Sequence, residues 1–220
     1  MNVNETKMPK LPELPVSLLG MRVLNLLKLN VLWLLCCLPI VTIGPATSAM
    51  NYVVNLYLEE KSDEVARPFF RAFRRDLGQG ILLGLFLLLL TALAVFDGLF
   101  LFANFSQGFH PAWLPFVFLA LFLVSLYVYA FPTLSRYALR FTELLKNSVL
   151  LFWQNLWTSV GAVLVLCAPF LLMWVFPDAA TEILFLWVLI GGSLSAYINN
   201  KGILKILDKE QRRLECSSTP

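Results

Sequence analysis

The stretch that decides the fold runs from Leu24 to Lys61 and reads LNLLKLNVLWLLCCLPIVTIGPATSAMNYVVNLYLEEK. Its first part, Leu24 to Ile43, is long and apolar enough to cross a ~30 Å hydrocarbon core as one helix. Gly44-Pro45 then makes a sharp break. Pro45 suits the first turn of a new helix, where the N–H it lacks would have no intrahelical partner in any case. That second helix, Pro45 to about Lys61, is ~25 Å long at 1.5 Å per residue, so it is either a short span or a re-entrant segment.

Downstream of this stretch, four more runs are long and apolar: Ile81 to Phe102, Ala112 to Leu134, Leu156 to Phe176 and Ile183 to Ile198. The last gains length because Tyr197, Asn199 and Asn200 can sit at headgroup level while Lys201 snorkels to water. Composition agrees. The chain is 59% hydrophobic and 14% charged, with a mean hydropathy of +0.74, against about 45–50% apolar and about 25% charged for a soluble domain. A water-soluble fold of this size could not bury so much apolar surface. The expected architecture is therefore an all-α, polytopic membrane helix bundle occupying residues 1–220 as a single domain. Its six membrane segments are 24–43, 45–61, 81–102, 112–134, 156–176 and 183–200, the second of them short or re-entrant.

Charge placement chooses six segments over five. Basic residues fall in four blocks: Lys7, Lys10, Arg22 and Lys28; Lys61, Arg67, Arg71, Arg74 and Arg75; Arg136, Arg140 and Lys146; and Lys201, Lys205, Lys209, Arg212 and Arg213. The connectors between them, Gly44-Pro45, Asn104 to His110 and Pro177 to Glu182, hold no Lys or Arg. If Pro45 to Lys61 returns the chain to its starting side, every block is cytoplasmic, as the positive-inside rule asks. Both termini then lie in the cytoplasm, and the tail 201–220 is cytoplasmic. Met1 to Leu19 carries charges and three prolines but no compact apolar core, so the first span is expected to stay in the mature protein.

Segment 67–76 is expected to lie at the cytoplasmic membrane surface. Phe69, Phe70 and Phe73 recur at helical spacing, with Arg71, Arg74 and Arg75 on the remaining arc, a pattern that suits either anionic headgroups or a docking partner. Two small-residue patterns invite close helix approach. One is Gly80-Ile-Leu-Leu-Gly84, and the other is the run that begins at Gly191 and Gly192. Asp97 is the one carboxylate inside an otherwise neutral span, which makes it the candidate for ligand or ion handling, although a position at the outer headgroup level is the simpler explanation. Asn51 and Asn55 share a helix face and are suited to interhelical hydrogen bonds. Pro39, Pro132 and Pro169 are expected to kink their spans.

No phosphate-binding loop, zinc-protease motif, CxxC pair or nucleophile elbow occurs, and the chain has a single His. No catalytic residue, cofactor site or metal site is expected, and the protein is read as a non-enzyme. Cys36, Cys37, Cys167 and Cys216 make no disulfide framework. A net charge of +3 gives no reason to expect nucleic acid.

The segments Asn30-x-x-Trp33, Leu38-Pro-Ile-Val-Thr-Ile-Gly-Pro-Ala-Thr47 and Phe69 to Arg75 followed by Gly80 resemble the YesL family of bacterial membrane proteins, a family of unknown function. The resemblance implies a multi-pass protein of the bacterial cell membrane. It also implies an auxiliary part in carbohydrate uptake or its sensing, since members are often encoded beside carbohydrate ABC-transporter and two-component regulatory genes. The expected function is an accessory subunit in contact with the lipid bilayer and an ABC-transporter permease or a sensor kinase. The alternative is an autonomous small transporter or channel.

Overall fold

A computed structural model describes residues 15–61, 64–105, 111, 113–137 and 139–218, with side chains placed from residue 20 to 205 apart from Phe105. Among the described residues the regular structure is entirely helical. The helices are α1 (Pro15–Cys37), α2 (Ile43–Leu58), α3 (Ala66–Arg75), α4 (Leu77–Phe105), α5 (Trp113–Arg136), α6 (Phe141–Gln154), α7 (Leu156–Val175), α8 (Ala180–Leu186) and α9 (Gly192–Ser218). Five stretches are long and apolar enough to cross a membrane: Gly20–Cys37, Leu77–Asn104, Trp113–Arg136, Leu156–Val175 and Pro177–Lys205. Their outward side chains, such as Leu89, Phe96, Phe118 and Phe170, are 67–69% exposed. Surfaces of that kind suit lipid rather than water, and the chain is a multi-pass membrane protein.

The second expected segment is α2, and at 16 residues it falls short of a full span. Its role in the bundle is central. Ala46, Ala49, Val53 and Val54 are wholly buried, in a cluster completed by Leu29 from α1, Phe69 and Ala72 from α3, and Ala196 from α9. Small side chains let those helices approach closely, which a Leu-rich lipid-facing span does not allow. Two further clusters complete the interior, one between α4, α5 and α6 and one joining α5, α6, α7 and α9.

The first span ends earlier than expected. The helix stops at Cys37, and Pro39 precedes a 3₁₀ turn over Ile40–Thr42, because Pro39 restricts Leu38 and cannot donate to the helix ladder. Thr42 Oγ1 closes the turn by donating to the Cys36 and Pro39 carbonyls at 2.6 and 2.7 Å. Pro132 and Pro169 lie inside α5 and α7.

At its other end α2 closes in a Schellman motif. Glu60 has φ of 54°, and the Lys61 N–H donates to the Leu56 carbonyl at 3.0 Å. The last expected segment also differs: α8, a π turn over Trp187–Gly191 and α9 run on as one rod, and helix continues to Ser218 through most of the expected tail. Helix α6, between the fourth and fifth expected segments, is amphipathic. It buries Leu144, Ser148, Leu151 and Phe152 and exposes Leu150 and Trp153.

Several contacts bring the ends of helices together. Arg136 at the end of α5 pairs with Glu59 at the end of α2, N to O 3.2 Å. The Arg75 guanidinium donates to the Ser135 carbonyl at 2.9 Å, and the Gln79 side chain donates to the Leu139 carbonyl at 2.6 Å. The end of α2, the junction of α3 with α4 and the end of α5 therefore meet.

Candidate functional site

Where α1, α2, α4, α5 and α9 converge they leave a cavity of about 390 Å³. Its apolar wall includes Leu85, Leu87, Leu88, Val128 and Phe131, and Trp33, Tyr127 and Trp187 contribute rings. Polar groups enter from α2 (Thr47, Asn51) and α9 (Ser195, Asn199, Asn200). No lining side chain is charged. A volume in this range, mostly apolar with a few convergent polar groups, is typical of small-ligand sites.

Two sets of hydrogen bonds hold the polar wall. The first starts at Asn30, wholly buried on α1. Its amide donates to the Val188 carbonyl at 2.8 Å, and its Oδ1 accepts from the Ser193 N–H at 3.0 Å. The π turn between those residues disturbs the ladder of the α8–α9 rod, and one Asn side chain replaces a donor and an acceptor at once. Ser193 Oγ also donates to the Leu26 carbonyl at 2.8 Å, fastening α9 to α1 a second time.

The second set lies where α2 crosses α9. The Asn200 amide donates to Asn51 Oδ1 at 2.9 Å and to Asn55 Oδ1 at 3.0 Å. Asn55 in turn donates to Ser135 Oγ on α5 at 3.2 Å. Nearby, Asp76 is 5% exposed. Its carboxylate accepts from Ser48 Oγ at 2.6 Å and from Arg75 at 2.7 and 3.0 Å. Arg75 also lies over the Tyr52 ring, 5.1 Å from its centroid. The hydrogen bonds that Arg75 donates to Asp76 raise Arg75 above its ordinary value, against the opposite pull of burial. Among the described residues, four buried side-chain oxygens have no partner: Thr133 Oγ1, Ser195 Oγ, Asn199 Oδ1 and Asn200 Oδ1. The last three belong to cavity-lining residues.

The residues singled out from sequence fall in different places. Gly80 and Gly84 face Gly44-Pro45 at the start of α2: a Cβ on Gly80 would lie 2.8 Å from Pro45 backbone atoms, and one on Gly84 would lie 3.1 Å from Gly44. Gly191 has no room for a methyl group beside the Trp187 ring, and a Cβ on Gly192 would meet Asn30 Oδ1 at 2.7 Å. Gly192 therefore borders the cavity as well as the Asn30 bridge. Asp97 is half-buried on α4 and lies outside the cavity lining. His110, expected beside it, lies outside the described residues.

Segment 67–76 is helix α3, and its aromatic face is divided. Phe69 is fully buried, stacked on Phe73 with centroids 6.2 Å apart, and both pack against the α2 core. Phe70 stays 44% exposed, next to the exposed Arg71 and Arg74. Asn200, expected at headgroup level, is 1% exposed, because its partners on α2 lie inside the bundle.

Sequence reasoning named Asn30 as a polar residue able to line a cavity or bond between helices, and Ser195 as one of a run of small residues, but it did not single out Asp76 or Ser48. Asp76 follows two arginines and reads as part of a solvated charge run. Ser48 and Ser195 are small residues among small residues. Only Asn30, a polar residue in an apolar run beside Trp33, carried a local signal.

A family model described as "Protein of unknown function, DUF624" matches residues 26–98, from the second half of α1 through most of α4. "Uncharacterized protein YesL" of Bacillus subtilis (strain 168) is 32% identical over 157 residues, 66% of this chain and 72% of that protein. No solved structure matches. The matched region contains Gly44, Gly80 and Gly84 and all of α2. The chain belongs to the YesL-like DUF624 family of membrane proteins of unknown function.

Proposed function

We propose that this protein is a non-enzymatic accessory subunit of the bacterial cell membrane, working beside carbohydrate-uptake machinery or its sensor. An ABC-transporter permease or a sensor kinase is its partner. The observation that carries the reading is the division of α3. Phe69 and Phe73 root the helix in the α2 core while Phe70, Arg71 and Arg74 remain on its free face. An aromatic flanked by arginines on a rigid base matches the composition of protein-interface hot spots. The carbohydrate association comes from the family resemblance.

In this reading α2 returns the chain, giving six membrane segments with both termini cytoplasmic. The contacts of Arg136 with Glu59 and of Arg75 with Ser135 bring the second and third basic blocks to one end of the bundle, as this topology and a five-span one both require. Tagged protein extracted in mild detergent from its native host is expected to retain a permease or kinase in near-stoichiometric amount. The triple change Phe70→Ala, Arg71→Glu, Arg74→Glu is expected to release it. Recovery of the unmodified protein alone would remove the accessory role.

A second reading, an autonomous small transporter, draws on the central cavity. Asp97 lies outside that cavity, so Asp97→Asn is expected to leave any flux in proteoliposomes unchanged. Absence of flux for every sugar and cation tried would end this reading.

A further inference from the structure

The central cavity opens sideways. Ile40 and Ile43, at the turn into α2, are 64% and 38% exposed, and of the other residues that line it Leu85, Leu88, Tyr127 and Leu166 are 36–50% exposed. These last four lie in stretches long and apolar enough to cross a membrane, on α4, α5 and α7. A mouth framed by such residues faces acyl chains rather than water. Opposite the apolar walls, Ser195 and Asn200 are 5% and 1% exposed, and the oxygens of Ser195, Asn199 and Asn200 have no partner. Two are carbonyl oxygens that can only accept, and the third is a hydroxyl that can accept. A buried acceptor left unmatched is costly, so this wall is complemented by a ligand that donates. No charged side chain lines the cavity, which disfavours an ionic headgroup there.

We infer that the cavity is a lateral binding site for a neutral, hydroxyl-bearing lipid, with the head hydroxyl on Ser195 and Asn199 and the acyl chains leaving past Leu85 and Leu88. Diacylglycerol has that chemistry: an uncharged head, a free hydroxyl and two chains. The inference does not depend on any protein partner.

The test uses the full chain in nanodiscs and a diazirine-bearing diacylglycerol. Photolabelling is expected to map to residues 84–88 and 192–200. Unlabelled diacylglycerol should compete, and phosphatidic acid with the same chains should not. The double variant Ser195→Ala, Asn199→Leu should weaken that competition about tenfold, the equivalent of losing one to two hydrogen bonds. Its melting temperature should stay unchanged, because Ser195→Ala adds no volume and Asn199 is only half-buried. Leu88→Trp, at a half-exposed position in the mouth, should block labelling in a folded protein. Equal competition by diacylglycerol with its hydroxyl acetylated would overturn the inference by showing a nonspecific groove for chains. Competition by free glycerol or glucose would overturn it in favour of an aqueous solute, and a dominant crosslink between two protein chains would mean that a helix fills the mouth.

Discussion

Gly44 sits where two backbones meet. A methyl group there would run into the Gly80 carbonyl, a backbone atom that cannot swing aside. Gly44→Ala is expected to lower stability by about 3 kcal/mol, the upper end of overpacking costs. Gly161→Ala meets open space and is expected to raise stability by about 0.5–1 kcal/mol through the better helix former. Paired thermal melts in one detergent check both signs, and a shift of the same sign for the two variants would refute the crossing. Asn30 gives a second measurement at this scale. Asn30→Ala leaves the Val188 carbonyl and the Ser193 N–H unmatched, at a cost of about 2 kcal/mol. Hydrogen exchange should accelerate at residues 187–193 before it does elsewhere, whereas a uniform change would assign Asn30 no local role. The glycine pair Gly80 and Gly84 was legible in the sequence as a close-approach motif, but its partner was not. Spacing identifies a helix face and leaves open which neighbour meets it.

Helix α3 shows how one amphipathic element can carry two roles. Its sequence places three phenylalanines on one arc, and periodicity alone treats them alike. Packing separates them, because α2 presents a groove of small residues that takes Phe69 and leaves Phe70 outside. Phe69→Ala is expected to cost about 3–5 kcal/mol, and Phe70→Ala less than about 0.5 kcal/mol. Comparable losses for the two would mean that α3 lies flat on the membrane as the sequence alone suggests. At the end of α2, Glu60 holds a left-handed conformation that L side chains adopt at a cost of about 1–2 kcal/mol. Glu60→Gly should therefore raise the melting temperature, and a fall would assign the Glu60 side chain a contact that outweighs the backbone strain.

For the molecule as a whole, single cysteines at Ser62 and Asp178, on a background with Cys36, Cys37, Cys167 and Cys216 replaced, report the topology. Labelling of Ser62→Cys from the cytoplasm and of Asp178→Cys from outside is expected, and labelling of both from one side would overturn the six-segment topology. The apolar runs determined by themselves that this chain is a multi-pass helical membrane protein, because the bilayer requires backbone polar groups to be satisfied within each span and that demand is local and readable. Sequence also required a break between the first two segments but placed it at Gly44-Pro45, whereas the helix breaks over residues 38–42, where Pro39 acts, and Gly44 and Pro45 lie in the first turn of α2. Tertiary structure alone decided that the short α2 forms the packed centre, that Asn200 turns inward to Asn51 and Asn55, and that the cavity opens between α4, α5 and α7. Those outcomes depend on which faces meet across long separations in the chain. A small residue or a lone asparagine reads the same in sequence whether it faces lipid, water or another helix.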